Sequence, residues 1–481
     1  MSSSTTPRAP RPDEGRGGRL RARWASAFFG TVVTLTDLVP PHFRYGYVHA
    51  LTRRAFRHPL PVLGANVGAP TSAPGVREAA PQATLTCALL TGSMDVGGIG
   101  SVVEMLATGL AATGVRPVVV CTADGARADR LRSRGIEVRV VEETTAFPAL
   151  VSLAPDVLEL HGAPELLENA AISSGIPMVP VFHNTEIHYS RARWRRLERL
   201  LERSAAAVAV SELVREFHAR HLPAALGGRI HVVANAAAHA SAPSDAERAE
   251  ARGALAAALG RDLSEDVVLV CLARYDSQKN VAGLVASFLS GTTDPHVRLV
   301  VAGEPSDWAE VRRAEAIRGS HPAGDRVDLL ASSDARTLLA AADVFVLDSF
   351  FEGWPVAATE AAAMGLPLVL SDFGGARELV DRDPEHSVLV ANPCGRADTV
   401  TDAAVARGRR RARRQDNAVV LGAAIDRVVA DVRSGSRPAA VDTGAQMDAM
   451  MEGHAAVLRA ASADAGGEPV VDEEQVERGR Q

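Results

Sequence analysis

Two carboxylates, Glu352 and Glu360, stand eight positions apart in a segment, residues 343–380, that reads as strand, loop, helix, strand and loop. Glu352 falls in a polar, glycine-containing loop. Glu360 falls five residues past Pro355, so about 7–8 Å along a helix at ~1.5 Å per residue. Both can address one ligand lying across the start of that helix. Free N–H groups and partial positive charge there suit a phosphate, and neighbouring carboxylates accept hydrogen bonds from sugar hydroxyls. Arg274 and Lys279 share another loop, after the apolar run 267–273. Arg offers a planar fork and Lys a movable point charge, so the pair can clamp two phosphate oxygens. Taken singly, each of the four reads equally well as a solvated surface charge.

The elements that must position these groups are legible nearby. Val344, Phe345, Val346 and Leu347 form a short apolar run suited to a strand buried on both faces. Pro355 suits a first helical position, and the alanine-rich stretch 356–364 is a helix closed by Gly365 and Pro367. Residues 368–370 make the next strand, which leads into Gly374-Gly375. In the N-terminal half, the strand 85–90 precedes a loop containing Gly97-Gly98 and a helix expected to open near Ser101 as its N-cap. Such a loop brings backbone amides to a phosphate. It is not a dinucleotide fingerprint, because Val103 holds the place of the third glycine. Strands at 117–122, 138–141, 157–160 and 178–182 alternate with helices, which argues for a parallel, doubly wound sheet with ligand groups at its C-terminal strand ends. His161 and His183 fall at such ends. The run 183–188, His-Asn-Thr-Glu-Ile-His, follows a strand, so the helical geometry of a zinc-protease motif is absent and no metal site is expected.

Taken together, the C-terminal segment resembles the E-x7-E region of the retaining glycosyltransferases of the GT4 family (group 1), which have the GT-B fold. Glu352-Gly353-Trp354-Pro355, Glu360-Ala361, Met364-Gly365-Leu366-Pro367 and Gly374-Gly375-Ala376-Arg377-Glu378 match in type, spacing and order. The resemblance covers residues 84–390. It implies an α/β chain with two Rossmann-like, doubly wound domains facing a central cleft. It implies a donor site of Gly98, Arg274, Lys279, Glu352, Gly353, Trp354, Pro355, Val356 and Glu360, in which Glu352 meets the donor sugar, Glu360 the ribose, and loop amides the diphosphate. Glu352, His183, Arg274 and Lys279 are the implied catalytic groups. Ala273 and Asn280 stand where the family's Gly-Arg…Lys-Gly pattern has glycines, Asp348 where a proline often precedes the serine, and Asn235-Ala236 replaces a usual Asn-Gly. The implied reaction moves a sugar from a nucleoside-diphosphate sugar to a glycan, lipid or small-molecule acceptor, with retention of configuration and with neither metal nor cofactor. Two alternatives stay open: a GT-B sugar-nucleotide epimerase, and a non-catalytic protein that binds sugar nucleotides. Asp381-Arg382-Asp383 spells the metal signature of a different glycosyltransferase class, but beside Pro384 it reads as a turn.

At 481 residues the chain exceeds what one hydrophobic core organises. The expected division is an extension and linker at 1–82, partly disordered; an acceptor-side domain at 83–240; and a nucleotide-sugar domain at 245–435. A helix at 440–461 would cross back to the first domain, and 462–481 is a loose tail. A net charge of −6 gives no argument for nucleic acid. Cys87, Cys121, Cys271 and Cys394 lie far apart with no CxxC, which fits buried thiols in a reducing cytoplasm. Basic residues before Trp24, Phe28 and Phe29 suit an anionic membrane surface, giving peripheral contact at the inner membrane face. The plainer reading is an added helix packed on the first domain. The run 407–414 (RGRRRARR) reads as an exposed basic face, and Met447, Met450, Met451, Ala455 and Leu458 as a core-packing stripe.

Overall fold

Two sheets of short, apolar, parallel strands organise the chain, each buried on both faces by helices. The computed structural model describes residues 12–40, 43–64, 85–95, 98–237 and 241–464. They fall into two units, drawn from 74–185, 189–238 and 444–481 and from 1–73, 186–188 and 239–443 respectively. The chain begins with helix α1 (Pro12–Asp37), followed at some distance by α2 (His49–Phe56).

The first unit holds seven strands: β1 (Leu85–Ser93), β2 (Val115–Ala123), β3 (Val138–Val140), β4 (Val157–His161), β5 (Met178–Phe182), β6 (Ala207–Ala209) and β7 (Ile230–Val232). Their order is β3-β2-β1-β4-β5-β6-β7, with every pair parallel. Helix α3 (Gly98–Gly109) follows β1 and begins three residues before the expected cap at Ser101. Gly98 and Gly100 accept helical dihedrals, and buried Gly100 lets the first turn lie against the Ser93 carbonyl.

The second unit holds β8 (Val267–Leu272), β9 (Val297–Ala302), β10 (Val327–Leu330), β11 (Val344–Leu347), β12 (Leu368–Ser371) and β13 (Val388–Val390) in the order β10-β9-β8-β11-β12-β13, again all parallel. Around it pack α4 (Val281–Gly291), α5 (Trp308–Ser320), α6 (Val356–Ala363), α7 (Asp402–Arg410) and α8 (Ala418–Arg433). Val268, Leu269, Val270, Val344, Phe345 and Val346 have no exposed surface, and each such side chain stabilises the fold by about 1.5–3 kcal/mol.

The last helix, α9 (Thr443–Asp464), packs on the first unit. Met450, Met451, Ala455 and Leu458 are buried there, and a Cβ at Gly109 would come within 2.5 Å of the Met451 sulfur.

Three expectations change. Residues 12–23, in the extension expected to be partly disordered, belong to α1. That helix packs on α5 and α7 of the second unit instead of on the first domain. The run 407–414 is not wholly an exposed face, because Arg409 is buried among Asp37, Glu310 at 3.3 Å and Asp307 at 3.5 Å. One long-range cluster causes both of the last two changes: Asp37 closes α1, and Arg409 is its buried partner. No described helix is long and apolar enough to cross a membrane.

Candidate functional site

The second sheet reverses its strand order between β8 and β11, so the loops that follow these neighbouring strands flank the crevice where doubly wound sheets bind ligands. Each loop is built by its own short-range chemistry. After β8, the Asp276 carboxylate accepts from the backbone N–H of Gln278 at 2.9 Å and of Lys279 at 3.1 Å, which turns the chain. Asn280 then adopts a left-handed conformation, φ 52°, at a position where the family more often has glycine. Its side chain donates to Asp348 at 2.9 Å and to Gln415 at 3.0 Å. Asp348 heads the loop after β11 and also accepts from Asn417 at 2.8 Å. Burial pushes the Asp348 carboxyl up to about 7, against the pull of these donors. Gln278 joins the two loops: its carbonyl accepts from Phe350 N at 2.9 Å, and its side chain donates to the Phe351 carbonyl at 2.9 Å.

On this frame Lys279 Nζ lies 2.5 Å from Glu352 Oε1, which also accepts from Ser349 Oγ at 2.7 Å. Both charged side chains are largely buried. Arg274 is the outward cation of the same loop, 53% exposed and 3.1 Å from Asp276 Oδ2. Gly353 and Trp354 follow Glu352 under a second constraint. A Cβ on Gly375 would meet the Trp354 ring at 2.1 Å, and Gly374, at φ +41°, lies against the Gly353 carbonyl. Trp354 Nε1 donates to Thr359 Oγ1 at 2.8 Å, which ties the loop to α6. Pro355 precedes α6 as its N-cap, one position earlier than the sequence pattern predicts, and Val356 is the first helical residue. Glu360 projects from the second turn, partly buried, with no hydrogen-bond partner for its carboxyl among the described residues. Burial pushes that carboxyl up to about 7. Arg274, Lys279, Glu352, Gly353, Trp354, Pro355, Val356 and Glu360 thus all belong to two loops and one helix at a single strand crossover.

Gly98 and His183 belong to the other unit. Gly98 is the first residue of α3 and His183 follows β5 directly. His183 Nε2 lies 2.9 Å from His161 Nδ1, and His161 Nε2 lies 3.3 Å from Glu159. The other Glu159 oxygen lies 2.5 Å from Nδ1 of His454 on α9. Glu159, His161 and His454 are all fully buried. Burial and the neighbouring His161 hold the His183 imidazole well below its ordinary range, so it is neutral near pH 7. Burial alone would raise Glu159, yet the two imidazoles hold it below the usual carboxylate range.

Neither Glu159 nor His454 emerges from sequence reasoning as functional, although each leaves a trace. Glu159 is the one charge in the apolar strand 157–160, and such a charge must be paired. His454 stands four residues from both Met450 and Leu458, so it shares the buried stripe of α9. Among the described residues no cluster of three or more His, Cys, Asp or Glu is placed to hold a metal ion. Asp383 of the D-x-D run instead pairs with His386 at 2.9 Å in a turn.

Residues 266–405 match the family model described as Glycosyl transferases group 1, and residues 96–240 match that of Glycosyltransferase Family 4. The two together take in more than half of the chain. Among curated relatives, the chain is 30% identical over 229 residues to alpha-maltose-1-phosphate synthase of Mycolicibacterium smegmatis, covering 44% of this chain and 57% of the relative. It is 35% identical over 119 residues to glycogen synthase of Mycobacterium tuberculosis, 23% of this chain and 27% of the relative. The chain therefore spans little more than half the length of the first relative, and less of the second. Among solved structures, Anabaena HepE in complex with UDP and glucose superposes with a TM-score of 0.55 at 18% identity, over 72% of this chain and 99% of that one. The catalytic domain of starch synthase IV from Arabidopsis thaliana, bound to ADP and acarbose, gives 0.54 at 14% identity, over 79% and 99%. These likenesses assign the two Rossmann-like sheets to the GT-B fold. Matched by one family description in each of its sheet-bearing units, the chain belongs to the group 1, family 4 glycosyltransferases.

Proposed function

We propose that the protein transfers a sugar from a nucleoside-diphosphate sugar to a glycan, lipid or small-molecule acceptor, with retention of configuration and without a metal. One observation carries the reading. Lys279 and Glu352 are held together at the strand crossover, Arg274 stands beside them, and the Glu360 carboxyl on the adjoining helix has no hydrogen-bond donor among the described residues. Breaking the bond between the sugar's anomeric carbon and the diphosphate oxygen leaves negative charge on the diphosphate. Lys279, Arg274 and the start of α6 supply positive charge where it develops, and each such group contributes roughly 10²–10³ in rate. Glu352 fixes the ammonium and accepts from a sugar hydroxyl, while Glu360 accepts from the ribose hydroxyls. The acceptor hydroxyl attacks the face that the diphosphate vacates, and its proton passes to the departing phosphate oxygen. His183, held neutral, acts as a hydrogen-bonding group toward the donor sugar and acceptor. Gly98, as the first residue of α3, offers a helix-start backbone suited to a phosphate.

UDP and ADP in the two structural relatives named above support a nucleotide donor here, and the four unpaired cysteines support a cytoplasmic location. Contact with the inner membrane face is a separate property, independent of the transfer chemistry. The test is a panel of nucleoside-diphosphate sugars incubated with purified protein, reading nucleotide release with and without acceptors. Acceptor-dependent release that falls at least ~100-fold in Glu352→Gln is the expected result. Conversion of the donor to an epimeric sugar nucleotide without an acceptor would mark an epimerase, and tight binding without turnover a non-catalytic protein.

A further inference from the structure

Exposed large apolar side chains gather in the N-terminal extension. On α1, Leu20, Trp24, Phe28 and Leu35 are 55–73% exposed, Leu38 in the turn that follows is 74% exposed, and Leu51 on α2 is 66% exposed. Positions 20, 24, 28 and 35 fall on one side of the helix, and Leu38 follows its last turn. Other sides of α1 are occupied: Ser26, Val33 and Asp37 are buried, and the helix packs on α5 and α7. An apolar stripe of this length on a well-packed helix is unusual for a surface with nothing to meet.

Beyond Asp13 and Glu14 at the start of α1, the charge around the stripe is basic. Between positions 17 and 64 the sequence contains a single acid, Asp37, and that acid is buried beside Arg409. Arg19, Arg21, Arg23, Arg53, Arg54 and Arg57 are all exposed. The basic run 407–414, distant in sequence, lies alongside: Arg413 donates to Ser26 Oγ on α1 at 3.0 Å, and Arg410, Arg411 and Arg414 are exposed. The chain as a whole carries −6, so this face stands against the net charge.

We propose that α1 and α2, with the adjoining arginines of 407–414, form a docking face for an anionic lipid bilayer. Trp24, Phe28 and the leucines enter the boundary between headgroups and acyl chains, while the arginines meet lipid phosphates and carboxylates. The charge favours lipid over a second copy of this chain, because a two-fold interface would set the same arginines against themselves. The inference goes beyond the transfer reaction, and its test reads lipid binding alone.

The test is flotation of the full chain with vesicles of phosphatidylcholine alone or with about 30% phosphatidylserine. The expected result is flotation with the anionic vesicles, at least ~10-fold weaker with phosphatidylcholine or at ~0.5 M salt. Leu20→Ser/Trp24→Ser and Arg19→Glu/Arg21→Glu/Arg23→Glu should each reduce it ~10-fold, with the melting temperature unchanged because these side chains are exposed. Equal binding to both vesicle types, or none, would overturn the proposal. So would a dimer that Leu20→Ser/Trp24→Ser dissolves, which would assign the face to a second copy. Vesicle binding gained only on removal of the acidic tail 465–481 would overturn it for the intact chain.

Discussion

Lys279 and Glu352 are largely buried and each holds the other's charge, which is why neither is a plain surface residue. Lys279→Ala should lower nucleotide release by roughly 10²–10³ in kcat, since a cation at the departing diphosphate acts mainly in the transition state. Glu360 gives a pH signature. Its folded-state value, about 7, lies above the ordinary carboxylate range, so the stability it contributes at low pH is lost as pH rises through about 7. If Glu360 holds the ribose as proposed, it does so ionised, so nucleotide affinity should rise from pH 6 to 8. Titration calorimetry at both pH values checks this, and Glu360→Gln should flatten the dependence. His454→Ala should destabilise the fold by about 3–5 kcal/mol in denaturant titrations, because it strips a buried carboxylate of a partner. At this scale the gathering of Arg274, Lys279, Glu352 and Glu360 on two loops and a helix at one strand crossover was legible, because short spacings in the chain decide it. The Glu159–His454 contact was not, because 295 residues separate its two ends.

Glycines set how closely the loops of the crossover approach. Gly375 gives the Trp354 ring its place, and Gly303 packs so close to the Ala273 carbonyl that a Cβ there would stand 2.0 Å away. Gly375→Ala should therefore push the Trp354 loop outward. The expected cost is about 1–3 kcal/mol by thermal unfolding, with a parallel loss of nucleotide release. The strands and the α6 segment could be read from apolar runs flanked by glycine and proline, because local sterics decide them. Ends were less legible: α3 starts early at Gly98 and α6 late at Val356, each shifted by close packing or a proline that sequence periodicity does not weigh.

Across the whole molecule, the N-terminal extension joins the second unit through Arg409, which meets Asp37, Asp307 and Glu310 where water is excluded. Such a cluster adds little over a well-packed apolar one, but losing Arg409 takes from three buried acids the cation they share, leaving Arg44 beside Asp37 and Arg313 near Glu310. Arg409→Met should cost about 3–5 kcal/mol and open α1 to proteolysis, read by denaturant titration and limited digestion. Nothing local in the sequence announces this contact, whose partners Asp37 and Arg409 lie 372 residues apart. The two-sheet architecture was legible, because alternating strands and helices recur throughout the chain. The central claim, that one strand crossover grips a nucleoside diphosphate with Arg274 and Lys279, is tested most directly by calorimetric titration of UDP, ADP and GDP into wild type and Arg274→Ala/Lys279→Ala. The account predicts that at least one diphosphate binds the wild type and binds the double variant ~100-fold or more weakly. Equal affinity for both proteins, or no affinity for any diphosphate, would contradict it.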